Sequence, residues 1–213
     1  MFETFLHTEP DMPQNDTEFQ IGSSDTAGHA PGCAFTAPAL MVQGTTSDAG
    51  KSILCAALCR IFKEDGMFPS PFKAQNMTGY AYTLPGGSRM GMAQVIQAWA
   101  AGREPDVRMN PILLMPTSHT VSEVFLLGRL QGVMTGRDYF AYKPALFPAV
   151  AAAYNGLAAS GKALADSAEN SPAAAPMILE GAGSPAEINL REHDIVNMRM
   201  AEFADAKVLL VGD

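Results

Sequence analysis

The chain has 213 residues, of which 47% are hydrophobic and 17% are charged, and its formal net charge at pH 7 is −8. This length suits one domain, or one domain with a disordered tail, and the hydrophobic fraction is enough to bury a core. The negative charge argues against a nucleic-acid partner held by bulk electrostatics, and no apolar run is long enough to cross a bilayer. We therefore expect neither a nucleic acid nor a membrane as a partner.

The first 38 residues differ in composition from the remainder of the chain. They contain six acidic residues, no Lys or Arg, and several Pro, Gly, Ser and Thr residues. This composition predicts a flexible acidic leader over residues 1–38. It does not fit a secretory signal, which needs a basic start and an apolar stretch.

The three cysteines also bear on where the protein works. Cys33 lies in the leader, and Cys55 and Cys59 lie four residues apart on one face of a predicted helix. A zinc site built on this pair is one interpretation, but no cluster of further Cys or His residues stands nearby, so buried core thiols are favoured. Few cysteines and the lack of an export signal predict a cytoplasmic protein.

Apolar runs and helical periodicities alternate from Ala39 onward, which predicts one domain over residues 39–213. Short apolar runs predict six strands, at residues 39–42, 71–73, 112–115, 121–127, 177–179 and 207–211. Apolar residues at helical spacing predict four helices, at residues 51–62, 90–101, 144–159 and 194–203. Residues 160–176 are predicted to form a solvated excursion. Strands that alternate with helices indicate an α/β fold, in which an open, mostly parallel sheet has helices on both faces.

The first predicted strand is joined to the first predicted helix by a glycine-rich segment, QGTTSDAGKS at residues 43–52. A strand, a glycine-rich turn and a helix that opens with Lys-Ser form the setting of a phosphate-binding loop, although five residues, not four, separate its two glycines. Backbone N–H groups and the helix N-terminus can face a phosphate, Lys51 can reach the β- and γ-phosphates, and the Ser52 hydroxyl can ligate Mg²⁺. The alternative, a glycine-rich turn before an incidental helix start, fits the flanking strand and helix less well. The predicted nucleotide-binding residues are Gly44, Thr45, Thr46, Ser47, Asp48, Ala49, Gly50, Lys51 and Ser52.

Two further segments are predicted to meet this loop at one edge of the sheet. KAQNM begins at Lys73, at the end of the second strand, and EGAGS begins at Glu180, after the fifth. Ligands of open α/β sheets gather at the carboxyl ends of the strands, so Lys73 can neutralise a transferring phosphoryl group and Glu180 can hold Mg²⁺. Taken singly, such a lysine is more often a surface charge, and such a glutamate is as often a turn residue as a metal ligand. Their convergence with the loop favours the functional interpretation.

Four strings together are specific enough to identify a family. They are the loop at residues 43–52, PFKAQNM at 71–77, MNP at 109–111 and EGAGSPAEINL at 180–190. From about Pro38 to Asp213 the chain resembles the N-terminal synthetase domain of cobyric acid synthase. That domain is similar in fold to dethiobiotin synthetase, whose phosphate-binding loop also has five residues between its glycines. The resemblance therefore implies a P-loop NTPase fold of the dethiobiotin synthetase type, with a recognised variant of the loop.

The resemblance implies a ligase of cobalamin biosynthesis from the glutamine amidotransferase family. Cobyric acid synthase converts four corrin carboxylates of adenosylcobyrinic acid a,c-diamide to amides, with ATP, Mg²⁺ and ammonia drawn from glutamine. Each carboxylate is first phosphorylated, because a carboxylate is a poor electrophile and an acyl phosphate carries a good leaving group. Ammonia then displaces the phosphate.

Carried onto this sequence, the resemblance gives each predicted site residue a task. Lys51 and Lys73 would stabilise charge on the transferring phosphoryl group, and Ser52 would hold the metal together with Glu180. The predicted catalytic residues are Lys51, Lys73 and Glu180. The residues predicted to contact the substrate are Gln75, Asn76, Ser184 and Asn189. The implied partners are the corrinoid and either free ammonia or a glutaminase domain, and the sequence is compatible with a homo-oligomer.

The chain also departs from the family pattern. The glutaminase domain, with its nucleophilic Cys and partner His, would follow Asp213, and none of the three cysteines is placed as a nucleophile, so we expect no glutamine hydrolysis from this chain. Because the sequence stops directly after a predicted strand, we also expect a C-terminally incomplete piece of a longer polypeptide. Within the domain, four positions differ in charge from the usual pattern: Arg89 (usually acidic), Met92 (usually basic), Met115 (usually Lys) and His119 (usually acidic).

Two alternatives stay open on the sequence alone. A stand-alone ligase akin to dethiobiotin synthetase would match the length of the chain, whereas the strings AQNM and SPAEINL favour the corrinoid enzyme. A nucleotide-binding protein without catalysis would accommodate the changed charges at Arg89 and Met115 and the incomplete sheet.

Overall fold

A computed structural model describes residues 37–168, 174–184 and 194–212. Residues 1–36 of the predicted leader, Cys33 and Asn189 therefore lie outside the described residues. The strands are β1 (Ala39–Gly44), β2 (Ser70–Phe72), β3 (Gln75–Met77), β4 (Ala81–Thr83), β5 (Arg89–Gly91), β6 (Ile112–Pro116), β7 (Val121–Leu126), β8 (Arg129–Thr135), β9 (Met177–Glu180) and β10 (Lys207–Val211). The α-helices are α1 (Lys51–Glu64), α2 (Met92–Ala100), α3 (Gly136–Tyr142), α4 (Phe147–Asp166) and α5 (Met198–Phe203), and 3₁₀ turns cover Val107–Met109 and Lys143–Leu146. None of the helices in these ranges is long and apolar enough to span a membrane.

Four strands form a parallel sheet, here called the main sheet, in the order β10-β1-β9-β2. Each of the four corresponds to a predicted strand, and their parallel pairing confirms the predicted α/β class. A parallel strand inside such a sheet is covered on both faces, which is why its sequence is a continuous apolar run. β9 shows this most clearly, because all of its residues are buried.

The two faces of the main sheet are covered by different helices, as predicted. On one face Val42 packs with Cys55 and Cys59 of α1. Met41 belongs instead to the larger core cluster, which includes Tyr154 of α4. Because successive residues of a strand point to opposite faces, one strand contributes to both clusters.

A second sheet adds an antiparallel part to this architecture. Its order is β3-β6-β7-β8, with β3 and β6 parallel and β6, β7 and β8 antiparallel, and β4 and β5 form a separate antiparallel pair. The strand β8 was not predicted, because its sequence is exposed or half-buried throughout and lacks the apolar run of a buried strand. Leu127 and Gly128, both at positive φ, join β7 to β8 in a two-residue turn suited to a hairpin.

Several predicted helix boundaries are wrong for identifiable reasons. The helix predicted over residues 90–101 begins only at Met92, because Met90 and Gly91 belong to β5 and pair with β4. The predicted excursion at residues 160–176 begins too early, because α4 continues to Asp166 and buries Gly161 and Ala165 in its last turns. The helix predicted from residue 194 begins only at Met198. The carboxylate of Asp194 accepts hydrogen bonds from three backbone N–H groups that follow it, which holds residues 194–197 in a turn before the helix, whose N-cap residue is Asn197.

The main sheet brings the predicted site segments to one edge. In the register of the parallel strands, Val42 of β1 pairs with Glu180 of β9, and Phe72 of β2 pairs with Leu179. The loop after β1, Lys73 after β2 and Glu180 at the end of β9 therefore lie at the same edge, as the strand order of such sheets predicts.

Candidate active site

The loop between β1 and α1 has a structural reason for both of its glycines. Gly50 is in the left-handed region, at φ 87°, and its carbonyl oxygen accepts a hydrogen bond from Leu54 N at 3.1 Å. Gly44 is closely packed, since a Cβ there would lie 2.9 Å from Lys51 Nζ and 3.1 Å from the Cβ of Ala49, so the side chain of Lys51 would have to shift. The exposed residues between them are Thr45, Thr46, Ser47 and Asp48, and Ala49 is half-buried. The loop thus presents an exposed turn between a closely packed glycine, Gly44, and a glycine that the backbone conformation requires, Gly50.

Lys51 is folded back into the loop that precedes it. The residue is 3% exposed, and its Nζ donates hydrogen bonds to the carbonyl oxygens of Thr46, Ser47 (3.1 Å) and Gly183 (3.4 Å). Burial lowers the pKa of Lys51, and the nearby charge of Lys73 lowers it further. Carbonyl oxygens carry no formal charge, so a buried ammonium that is bonded to them can still bind an anionic partner.

The carboxylate of Glu180 is the centre of the site. Glu180 is 1% exposed, and its Oε1 accepts hydrogen bonds from Ser52 Oγ at 2.8 Å and from Lys73 Nζ at 2.6 Å. Lys73 is 8% exposed and forms an ion pair with this carboxylate, so its interpretation as a surface charge is wrong. The structure thus brings together Ser52, Lys73 and Glu180, and Lys51 lies at the start of the same helix as Ser52.

Two glutamines that the sequence analysis missed hold the other oxygen of Glu180. Its Oε2 accepts hydrogen bonds from Gln94 Nε2 at 3.2 Å and from Gln97 Nε2 at 2.6 Å. Both glutamines are fully buried on α2. The sequence does carry a signal for them, because Gln94 and Gln97 are two amides three residues apart in an otherwise apolar helix. Polar side chains on a buried helix face need hydrogen-bond partners. The Oε1 of Gln97 is buried and has no hydrogen-bond donor among the residues that the structure describes.

Two buried asparagines extend this network. Asn110 donates to the backbone carbonyl of Lys73 at 3.2 Å and accepts a hydrogen bond from Gly91 N at 2.9 Å. Asn76 is 7% exposed and donates from Nδ2 to Gln94 Oε1 at 3.0 Å. Asn76 therefore supports a glutamine of the site in this structure, and its contact with a substrate stays a prediction.

We expect Gly91→Ala to destabilise the chain by roughly 1–3 kcal/mol through overpacking of this network. A Cβ at Gly91 would overlap Asn76 Nδ2 and lie 2.9 Å from Gln94 Oε1 and 3.0 Å from Asn110 Oδ1, so all three buried amides would have to move. The free energy of unfolding in urea measures the effect. Gly79→Ala is the matched control, because a Cβ at Gly79 has no neighbour within 4 Å. Equal free energies of unfolding for the two variants would contradict the close packing at Gly91.

Two of the other predicted substrate residues lie beside a cavity of about 680 Å³. Gln75 and Ser184 line this cavity together with Ser47 of the loop. The hydroxyl of Tyr139 donates to Gln75 Oε1 at 2.6 Å and so fixes the orientation of its amide. The structure therefore brings two predicted substrate residues to the same space as the loop.

Arg89 and Met115, two of the departures from the family pattern, touch each other. The distance from Arg89 Nη1 to Met115 Sδ is 3.9 Å, the guanidinium lies 4.0 Å from Glu123, and its carbon atom lies 5.5 Å from the centre of the Phe125 ring. Arg89 lines a second cavity, of about 540 Å³, which shares no lining residue with the first. The positive charge of Arg89, at a position that is usually acidic, therefore lies apart from the cavity that Ser47 lines. The other two departures are Met92, at the start of α2, and His119, exposed between β6 and β7.

Cys55 and Cys59 are core thiols, as favoured from the sequence. Both are fully buried where α1 packs on the main sheet. Burial raises the pKa of Cys59 to about 12 and raises that of Cys55 as well, so neither is a thiolate near neutral pH. Within the described ranges, no three His, Cys, Asp or Glu side chains are grouped as a metal site.

Comparison with known proteins finds curated relatives, although no family model matches the chain. The chain is 54% identical over 176 residues to a cobyric acid synthase of Nitratidesulfovibrio vulgaris, a match that covers 83% of this chain and 30% of the relative. It is 52% identical over 175 residues to a cobyric acid synthase of Streptococcus sanguinis and 51% identical over 175 residues to one of Klebsiella pneumoniae, and each match covers 82% of this chain and 32% of the relative. The chain thus spans about a third of the length of these relatives.

Proposed function

The chain is a homologue of cobyric acid synthases over 82–83% of its length, and from this premise we propose that it is the ATP-dependent synthetase part of such an enzyme. The proposed reaction is the amidation of corrinoid side-chain carboxylates, from adenosylcobyrinic acid a,c-diamide toward adenosylcobyric acid. The names of the relatives support a ligase of cobalamin biosynthesis. Within the structure, the observation that carries the proposal is the convergence of Ser52 and Lys73 on the buried carboxylate of Glu180, beside the loop.

We propose that ATP binds with its phosphates on the loop at residues 44–52. Lys51 would exchange its bonds to loop carbonyl oxygens for bonds to the phosphates, because an anion is a better partner for a buried ammonium than a neutral carbonyl. The N-terminus of α1, capped by Gly50 with no side chain, leaves its first backbone N–H groups available to a phosphate.

The side chains around Glu180 fit a magnesium ion. Mg²⁺ prefers oxygen ligands, with one or two from the protein and the others from phosphate and water. Ser52 Oγ and Glu180 Oε1 supply two oxygens 2.8 Å apart, and Gln97 Oε1 is a third buried oxygen without a donor among the described residues. Ser52 and Glu180 would hold the ion, which when bound would neutralise charge on the phosphate oxygens. When a bound phosphate pairs with Lys73 instead, Lys73 would release Glu180 Oε1, and this oxygen could then bind the metal.

The chemistry then proceeds in two displacements. A carboxylate oxygen of the substrate attacks the γ-phosphorus, the bond to the ADP oxygen breaks, and ADP leaves with the electron pair. Lys51 and Lys73 would stabilise the charge on the transferring group. Ammonia next attacks the acyl carbon with its lone pair, phosphate leaves with the electrons of the carbon–oxygen bond, and the nitrogen loses a proton to solvent. Whether a glutaminase domain supplies the ammonia stays a prediction, and free ammonium can replace it in a test.

Turnover of a labelled substrate tests the proposal. The chain is incubated with Mg²⁺, ATP and ammonium, with and without adenosylcobyrinic acid a,c-diamide whose carboxylates carry heavy oxygen. We expect ADP release that depends on the corrinoid, a product mass that reflects exchange of OH for NH₂, and transfer of one heavy oxygen per amide to the released phosphate. The oxygen transfer is specific for an acyl phosphate, because no other step joins a carboxylate oxygen to phosphorus.

Two results would contradict the proposal. Binding of ATP by a folded chain without any corrinoid-dependent ADP release would favour a nucleotide-binding protein without catalysis. Carboxylation of a diamine with bicarbonate and ATP, in place of corrinoid amidation, would favour a ligase akin to dethiobiotin synthetase.

A further inference from the structure

A buried lysine that the mechanism above does not use lines the cavity beside the loop. Lys143 begins the 3₁₀ turn before α4 and is 8% exposed. The cavity of about 680 Å³ that it lines is also lined by Ser47 and Gly183, whose carbonyl oxygens accept hydrogen bonds from Lys51 Nζ. Lys143 therefore faces a space that reaches the proposed phosphate site.

The ammonium of Lys143 has no ion-pair partner and no hydrogen-bond acceptor among the residues that the structure describes. Its one contact of note there is with the ring of Phe140, whose centre lies 5.7 Å from Nζ. Burial lowers the pKa of Lys143, and the charge of Asp194 acts in the opposite direction. The carboxylate of Asp194 lines the same cavity but forms no ion pair with Lys143, and its oxygens accept the backbone N–H groups of Val196, Asn197 and Met198, so it offsets only part of the cost of burial. A buried ammonium without a paired anion is costly, so an anionic ligand would relieve that cost.

Two more donors on the same cavity fit such a ligand. The guanidinium of Arg199 stacks on the ring of Phe147, 3.9 Å from its centre, and has no carboxylate within ion-pair distance in the described part of the chain. The hydroxyl of Tyr139 donates a hydrogen bond to Gln75 Oε1. Among the described residues no acceptor pairs with Gln75 Nε2, so this N–H group can donate to a ligand. Glu202 also lines the cavity but is exposed to solvent. The cavity thus carries one buried donor, Lys143, and two half-buried donors, Arg199 and Gln75, beside the half-buried carboxylate of Asp194.

We propose that Lys143 binds a carboxylate of the substrate other than the one that reacts, with Arg199 and Gln75 as supporting donors. The reacting carboxylate has to meet the γ-phosphate beside Lys51 and Lys73, and Lys143 contacts neither of them in the structure. The cavity thus takes a ligand with at least two carboxylates. That this ligand is a corrinoid rests on the proposed function, whereas the pairing of Lys143 with a carboxylate does not.

Steady-state kinetics with Lys143→Met and Lys143→Arg test this assignment. We expect Lys143→Met to raise the KM for adenosylcobyrinic acid a,c-diamide by about 10- to 100-fold, as the loss of a charged hydrogen bond predicts, with little change in the KM for ATP. Lys143→Arg should recover most of the loss, because it restores the positive charge. Lys162→Met is the matched control, since Lys162 is exposed on α4 and pairs only with Asp166 among the described residues. An unchanged KM in Lys143→Met, or an equal rise in Lys162→Met, would overturn the assignment.

A binding measurement keeps the test independent of turnover. If the chain shows no corrinoid-dependent turnover, the proposed function fails, and the Lys143 site is judged by amide NMR spectra of the isotope-labelled chain titrated with glutarate or with its neutral diamide. We expect glutarate alone to shift the amide signals of Lys143 and Gln75 in a saturable way, with the shift of Gln75 lost in Lys143→Met and both shifts kept in Lys162→Met. Equal shifts with the diamide, or shifts that persist in Lys143→Met, would overturn the proposal.

Discussion

Lys51→Met is expected to reduce corrinoid-dependent ATP turnover by on the order of 10²–10³-fold, the loss typical of removing one donor that stabilises transition-state charge. The side chain of Met has a similar length but carries no charge for the transferring phosphoryl group. The measurement is ADP release with saturating corrinoid and ammonium, combined with circular dichroism to show that the variant is folded. Lys63→Met is the matched control, because Lys63 is an exposed lysine in the last turn of the same helix.

The same substitution should not destabilise the unliganded chain at pH 7. Because burial lowers the pKa of Lys51 below its ordinary value of 10.5, folding disfavours the charged form, and that cost is fully present below the lowered pKa. The cost disappears as pH rises from the lowered pKa to 10.5. We therefore expect Lys51→Met to be at least as stable as the native chain at pH 7, with the difference in unfolding midpoint narrowing as pH approaches 10.5.

A variant that keeps full activity would refute the assignment of the loop. An unfolded Lys51→Met variant would refute the inference that burying the charged form of Lys51 lowers the stability of the unliganded chain.

The convergence at Glu180 could be predicted because it follows from topology. Parallel strands end at a common edge, so polar residues directly after three such strands must lie close together, whichever side chains fill the core. Lys73 and Glu180 were each ambiguous as single residues, and the register of β1, β2 and β9 removes that ambiguity. The glycines of the loop were likewise predictable, since the positive φ of Gly50 and the crowding at Gly44 are demands that other residues meet poorly.

The partners of Glu180 Oε2 could not be predicted, because they lie on a helix whose contacts depend on tertiary packing. Gln94 and Gln97 sit in an apolar helix, and the periodicity of that helix says which face is buried but not what it meets. Lys143 lies in a 3₁₀ turn with no motif around it, so nothing in the sequence marks it as buried. The strand β8 was missed for the opposite reason: it is exposed, so its sequence carries little apolar signal.

The second large effect is expected for Glu180→Gln. Glu180 is the one carboxylate in the described residues within ion-pair distance of Lys73, and both side chains are at least 90% buried. Removing one partner of a buried pair leaves an uncompensated charge and costs roughly 3–5 kcal/mol. The amide of Gln would also point a donor at a site where Ser52, Lys73 and two glutamines already donate. We expect a loss of this size in the free energy of unfolding in urea, together with loss of corrinoid-dependent turnover. Glu64→Gln is the control, because its pair with Arg60 is exposed and contributes at most about 1 kcal/mol.

The double variant Glu180→Gln/Lys73→Met separates stability from catalysis. It removes the buried ammonium that the single variant leaves unpaired, and replacement of a buried ion pair by side chains of similar size is often neutral for stability. We therefore expect it to recover most of the free energy of unfolding but none of the turnover, because the proposed metal ligand and the proposed phosphoryl-binding cation are both gone. Recovery of turnover together with stability would show that the pair serves only the fold. Stability without turnover would mean that the chain keeps the buried pair for the reaction, with Glu180 as the proposed metal ligand and Lys73 as the proposed phosphoryl-binding cation.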